Sequence, residues 1–507
     1  MRIIKHLVIA MVVNILPVLV FAQQKTYNIT AYGAKPSLRL NNGKSIQKAI
    51  DDAASHGGGM VLVPAGTYIT GPLVLKTGVE LHLDDDALLM GSTNRMDYPK
   101  DKMAVISAVS QQNIAITGNG IIDGQGRELV ENVFVLLRQG IIKDKEWLLK
   151  RPTESNRPGV LHFYDCTNVK VTGVTIKNAA CWVQNYKKCS QVVINHIRVI
   201  STAYWNNDGI DIVDSKDVRI TNCFVNAADD GICLKSEERS GRCENIYVEN
   251  CTVRSSASAF KLGTGSLGTF KNITVKNLTV YDTYRSAVAL ETVDGADMEN
   301  INVSNVQAKN TGNAILIRLG HRNSDDKYST IKHVYIGNVK AEIPSAKPDI
   351  GYPVEGPPPK VPPHNLLPAS ITGIPGHAIE DVILENIEIT YGGGANKEKA
   401  YISTDLLSTV PEQIPNYPEF TMFGELPAWG LYVRHAKGIK LKNVTLKLLE
   451  NDFRPSMVFD DVNGLDVQGL NLPNAKVLPT VILNKVTSPS LKSINLPGEN
   501  QNAVKTQ

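Results

Sequence analysis

The sequence predicts an all-β chain folded as a single-stranded right-handed parallel β-helix with a short N-terminal capping helix. Three observations predict it. First, segments 168–173, 191–196, 217–222, 245–250, 272–277 and 300–305 share one pattern, with starts separated by 23, 26, 28, 27 and 28 residues. A period in the twenties built from short strands marks a solenoid whose coils stack at about 4.8 Å. Second, the second and fourth residues of each segment are apolar, mostly Val and Ile, as a strand with one buried face requires. Third, the sixth position is Asn at 222, 250, 277, 305, 338, 386 and 443. A side-chain amide has donors and an acceptor, so turn Asn residues can bond to their own copies on neighbouring coils. The regular Leu positions of leucine-rich repeats are absent, and propeller blades would be longer and rich in hairpins.

Along the chain, residues 1–22 read as a secretory signal. Arg2 and Lys5 precede the mainly apolar stretch 7–21, and Val20-Phe21-Ala22 suits cleavage. Asn14 and Pro17 interrupt a run already short for a membrane span, so the protein is expected to be exported, periplasmic or extracellular. The full chain has 53 Lys and Arg against 50 Asp and Glu, a net charge of +3, and the signal holds two of the basic residues. A mature chain so close to neutral gives no support for a nucleic-acid partner.

Residues 45–54 form an amphipathic helix ended by His56-Gly57-Gly58-Gly59, suited to covering the first core layer of a solenoid. Strands follow at 60–63, 73–75 and 79–83. The β-helix is expected to run over 23–485 as one domain, the one that carries the acidic motifs described below. Irregular insertions are expected near 124–158, 341–375 and 391–430, and a weakly structured tail at 486–507. Aromatic and charged residues in 410–435 favour an ordered wall there over a linker. All seven cysteines fall between Cys166 and Cys251, with no zinc-like spacing. They are expected to be small buried fillers rather than a disulfide framework, because a chain this large does not need staples. A monomer with no cofactor and no bound metal is expected.

The chemistry concentrates in Asn206-Asn207-Asp208-Gly209 and Asp229-Asp230-Gly231. Asp208 and Asp229 are 21 residues apart, so the two clusters are expected to stack on neighbouring coils. Inverting hydrolysis of a glycosidic bond needs a protonated carboxyl for the leaving oxygen and an ionised one to activate water. Crowding three carboxylates raises the pKa of at least one. Turns and calcium compete with catalysis here: Asp-Gly is a common turn pair, and clustered carboxylates suit a hard cation.

These motifs also carry a resemblance. Tyr32-Gly33-Ala34, Gly57-Gly58-Gly59, Val63-Pro64-Ala65-Gly66-Thr67-Tyr68 and Thr70-Gly71-Pro72-Leu73 resemble the opening of glycoside hydrolase family 28. This is the pectin-degrading polygalacturonase and rhamnogalacturonan hydrolase family, whose members are pectin-lyase-like solenoids. Gly118-Asn119-Gly120-Ile121-Ile122-Asp123-Gly124 resembles its next landmark. Asn206-Asn207-Asp208-Gly209 stands where the family has Asn-Thr-Asp-Gly, and Asp229-Asp230-Gly231 stands at its Asp pair. The resemblance implies Asp229 as general acid, with Asp208 and Asp230 activating water.

Two departures bear on the substrate. Ser258 replaces the polygalacturonase His, and Ala289-Leu290-Glu291 falls where polygalacturonases have Arg-Ile-Lys gripping a substrate carboxylate. A galacturonate facing Glu291 would be repelled, which favours a rhamnogalacturonan-type pectic polysaccharide or oligosaccharide over plain homogalacturonan. Asn206, Lys235, Ser258, Lys261, Glu291 and Arg318 are the expected substrate-binding residues. Alternatively, Glu291 partners Arg285, and Trp182 and Trp205 are stacking platforms or core filling. A β-helix polysaccharide lyase acting on uronic-acid polymers and a non-catalytic carbohydrate-binding solenoid are the rival functions.

Overall fold

The computed structural model describes residues 25–100, 103–349, 351–352, 362–496 and 502–507; the expected signal at 1–22 lies outside them. The described chain is a right-handed parallel β-helix. Strand pairs run coil to coil and parallel. Gln184–Lys187, Ser190–Asn195 and Arg198–Ser201 pair in turn with Ile210–Val213, Lys216–Thr221 and Phe224–Ala227 on the next coil. The repeat residues face inward as their alternation requires. Val192, Val218, Ile246, Ile273 and Ile301 stack in one column, each at most 1% exposed.

The helix α1, Gly43–Ser55, closes the N-terminal end with Ile46, Ala49, Ile50 and Ala53 fully buried against the first coils. The chain leaves α1 through Gly57, Gly58 and Gly59, all at positive φ. A Cβ on Gly58 would lie 2.4 Å from the Gly78 carbonyl oxygen, so only glycine fits there.

The turn asparagines form a continuous ladder. Nδ2 of each donates to Oδ1 of the one before it, through Asn195, Asn222, Asn250, Asn277, Asn305, Asn338, Asn386 and Asn443, at 2.9–3.2 Å. From Asn222 onward each is left-handed at the coil corner, φ 52–58°, which Asn tolerates better than most side chains. The first repeat position is left-handed too, and Asn245, Asn272 and Asn300 continue a second ladder from Asp217. Asn277→Ala removes two ladder bonds and leaves at the left-handed corner a residue that tolerates that conformation less well than Asn. It is expected to lower stability by about 1–3 kcal/mol. Urea unfolding checks this, and Asn277→Gly should recover the backbone part of the loss but not the ladder part.

Two expectations change. The 124–158 insertion is not wholly irregular: Gly126–Arg138 is a second helix, α2, burying Leu129, Val130, Val133, Leu136 and Leu137 on one face. The chain beyond 485 continues the solenoid. Val481–Asn495 pairs with Met457–Asn471 along its length, and Val504–Thr506 pairs back onto it. Val486, Leu491 and Ile494 pack partly buried against the core there. The 391–430 insertion is an ordered wall, seated by its own apolar cluster of Leu407, Val410, Phe423 and Leu426 against Tyr432 and Val458. All seven cysteines are buried and free. No helix among the described residues is long and apolar enough to cross a membrane.

Candidate active site

Two adjacent coils bring the acidic motifs together. Ile210–Val213 pairs with Ile232–Ser236 in the register Ile210 to Ile232, and Gly209 N–H donates to the Asp230 carbonyl at 2.9 Å. Asp208 therefore stands beside Asp230, one residue later than the expected pairing with Asp229. Neither Gly209 nor Gly231 has a positive φ. A Cβ on Gly209 would lie 2.6 Å from the Gly231 carbonyl oxygen, and one on Gly231 would lie 2.7 Å from that of Ala259. Close coil stacking requires these glycines. They do not mark Asp-Gly turns, so turn geometry does not explain the motifs.

The three carboxylates occupy different electrostatic settings. Asp208 and Asp230 are 4% and 3% exposed, whereas Asp229 is half-buried. Lys235 Nζ donates to Asp208 at 2.8 Å and also to Asp211, while lying 3.9 Å from the Trp182 ring centre. Lys261 Nζ donates to Asp230 at 2.9 Å. Asp229 has no cation in ion-pair contact among the described residues. Burial, then the charges of Asp208 and Asp230, push its carboxyl up to about 7. Asp230 moves the other way: burial opposes, but Lys261, Arg285 and Lys235 together hold it below the usual carboxylate range. Asp208 and Asp230 approach to within 4.8 Å, a gap that one water can bridge. An acid still partly protonated near neutrality thus adjoins two carboxylates close enough for one water to lie between them, a division of roles that inversion can use.

Cys233 lies within 4.8 Å of the same two carboxylates. Burial pushes its thiol well above the usual range, and both carboxylates are already engaged by ammonium groups. This donor set does not suit a cation.

The other expected site residues divide. Asn206, left-handed at φ 58°, accepts from Arg157 at 2.7 Å and reaches Asp229 at a long 3.5 Å. Ser258 stands one coil beyond Asp230 and donates its backbone N–H to that carboxylate at 3.0 Å. Lys235 and Lys261 belong to the carboxylate cluster, and Lys261 is 1% exposed; they are not free cations awaiting substrate. Glu291 is buried behind Lys261 at 3.7 Å, one of its oxygens has no hydrogen bond, and burial pushes it up to about 7. At 2% exposed and beside Lys261, it does not face the groove as an unpaired charge. Arg285 pairs with Glu419 at 3.4 Å and not with Glu291. Arg318, expected in substrate binding, is 1% exposed and donates to the carbonyls of Gly373, Glu412 and Gln413 at 2.7–3.1 Å. Its role is to fasten the wall.

Three residues outside the expected set complete the site. The wall carries Tyr417 to Lys261, with the hydroxyl 3.0 Å from Nζ. Around the Tyr417 ring stand Lys261, Arg285 and Arg322, 5.2, 5.7 and 6.0 Å from its centre. Arg285 adjoins Ser286, two coils from Asp230 in the same column, so coil counting alone can find it. Tyr417 arrives from 156 residues beyond Lys261, and no periodicity announces it.

The model of glycosyl hydrolases family 28 matches residues 56–348. The chain belongs to this family. It is 28% identical over 291 residues to an exo-poly-alpha-D-galacturonosidase of Dickeya chrysanthemi, spanning 48% of this chain and about half (48%) of that relative. It is 26% identical over 337 residues to an exopolygalacturonase of Zea mays, covering 65% of this chain and 68% of that one. The fold matches an exopolygalacturonase from Thermotoga maritima with a TM-score of 0.56 at 24% identity, over 72% of this chain and 87% of that one. It also matches a family 28 exopolygalacturonase of Yersinia enterocolitica, with a TM-score of 0.57 at 18% identity over 96% and 78%. The family match ends near 348, so the wall bearing Tyr417 lies outside it.

Proposed function

We propose that this family 28 protein is an exported, inverting hydrolase that removes galacturonate-containing units from pectic saccharides, acting from a chain end. One observation carries the reading. Of the three clustered aspartates, only Asp229 lacks a cationic partner among the described residues and is pushed up to about 7, while Lys235 and Lys261 hold Asp208 and Asp230. Asp229 protonates the leaving oxygen. Water held between Asp208 and Asp230 attacks the anomeric carbon from the opposite face and loses its proton to the ionised pair. Action from a chain end rests on the names of the relatives and on the wall that brings Tyr417 against Lys261 beside the carboxylates.

The substrate reading follows the cations. Loss of the Arg-Ile-Lys sequence argues for a rhamnogalacturonan-type ligand only if no other cation serves the site. Arg285 and Arg322 stand beside Tyr417, where Glu419 lies 3.4 Å from Arg285 and Asp294 accepts from Arg322 at 2.8 and 2.9 Å, so a galacturonate carboxylate bound here shares these cations with the protein's own acids. Arg285→Gln is expected to raise KM for galacturonate oligosaccharides about tenfold, with a smaller change in kcat. Initial rates on acidic and carboxyl-reduced oligosaccharides check this, and equal losses on both would reject the carboxylate role.

Chromatography of digests of homogalacturonan and rhamnogalacturonan oligosaccharides tests the function. Saturated single units, absent with Asp229→Asn, are expected. A lyase would release ultraviolet-absorbing unsaturated product and needs a neutral base. Carboxylates hold Lys235 and Lys261 protonated despite their burial, which argues against either as that base. Binding without any product would instead indicate a non-catalytic solenoid.

A further inference from the structure

The segment after α2 forms an open cleft lined by residues between Leu137 and Arg157. Its cavity is about 1100 Å³, large enough for several sugar rings. Lys143, Lys145, Lys150, Arg151 and Arg157 line it, against Asp144, Glu146 and Glu154. Two of the three acids are engaged, and Glu154 has no cation in ion-pair contact among the described residues. Asp144 accepts from Thr153 and Asn156 at 2.7–2.9 Å and so folds the loop, and Glu146 faces Lys150 at 3.8 Å. Lys143, Lys145 and Arg151 have no carboxylate in ion-pair contact among the described residues. Trp147 gives the lining an aromatic surface.

The cleft communicates with the reacting centre. Arg157 is 2% exposed and donates to Ala180 O, Trp205 O and Asn206 Oδ1 at 2.7–3.1 Å, all neutral acceptors. Asn206 in turn contacts Asp229. Arg151 lies over the Trp205 ring, 4.9 Å from its centre. One wall of the cavity is therefore also the support of the motif that carries Asp208.

We infer that this cleft is a secondary subsite for anionic sugar residues adjoining the scissile unit, held by Lys145 and Arg151 and packed on Trp147. The inference rests on the pectic reading of the neighbouring carboxylates. Cations without acidic partners beside an indole match a uronate, whose carboxylate takes charge-assisted bonds while its ring face packs on the aromatic.

Fluorescence titration of the turnover-deficient Asp229→Asn protein with tetragalacturonate tests this without relying on hydrolysis. Subtracting the same titration of Asp229→Asn/Trp147→Phe isolates the Trp147 signal. Saturable Trp147 quenching is expected, with affinity falling about tenfold when Lys145→Ala and Arg151→Ala are added. The carboxyl-reduced oligosaccharide should be insensitive to those two changes. Unperturbed Trp147 emission, or equal affinity with and without the two cations, would overturn the subsite. Failure of the unsubstituted protein to release product from tetragalacturonate would count against the proposed function instead, and is read separately.

Discussion

Asp229→Asn is expected to lower kcat about a thousandfold or more on any substrate whose leaving group needs a proton. Asn is nearly isosteric with Asp but has no acidic proton to give, so the fold and KM should change little. The pH profile supplies a second signature. The acid works only while protonated, and its carboxyl is pushed up to about 7, so kcat/KM should fall as pH rises through that value. That limb should be missing from the residual activity of Asp229→Asn. A variant that keeps both rate and limb would remove Asp229 from the reaction.

Lys235→Met is expected to have the largest effect on stability. The ammonium sits between Asp208 and Asp211, which are 4% and 0% exposed, and its loss leaves two buried carboxylates without a counter-charge. Breaking a buried ion pair from one side costs about 3–5 kcal/mol. The loss should depend on pH in a definite direction. Burial pushes Asp211 well above the usual carboxylate range, with Lys235 as the largest opposing influence. A carboxyl whose folded pKa is raised binds its proton more tightly folded than unfolded, so its contribution to stability falls as pH rises. The variant should therefore lie furthest below the unsubstituted protein at neutral pH. It should approach it near about pH 4, where an unfolded Asp is itself half protonated. Urea midpoints at the two pH values check this, and a pH-independent difference would contradict it.

The solenoid is legible in the sequence because its physics is periodic. Alternating Val and Ile and a corner Asn recur every coil, and the same interactions repeat each time. The carboxylate cluster is legible too, since two Asp-Gly motifs nearly one coil apart must be neighbours once the period is known. Its register comes out one residue off because the coil length varies from 23 to 28 residues in the repeats themselves. Where periodicity ends, so does legibility. Helix α2 escapes notice although Leu129, Val133, Leu136 and Leu137 follow a helical stripe, because the solenoid pattern on both sides gives no cue for one. Glu291 reads as a charge facing substrate, yet strand alternation does not reveal that it is 2% exposed and lies 3.7 Å from Lys261. Arg318 illustrates the same limit: its partners are backbone carbonyls of an insertion almost a hundred residues away.

The stereochemistry of the first product tests the central claim most directly. Proton NMR during hydrolysis of trigalacturonate distinguishes the anomers before they equilibrate. Donation by Asp229 with water delivered by Asp208 and Asp230 predicts that the newly released reducing end appears first as the β-anomer, inverted from the α-linkage. Initial appearance of the α-anomer would require a covalent intermediate on one of these aspartates and would contradict the account.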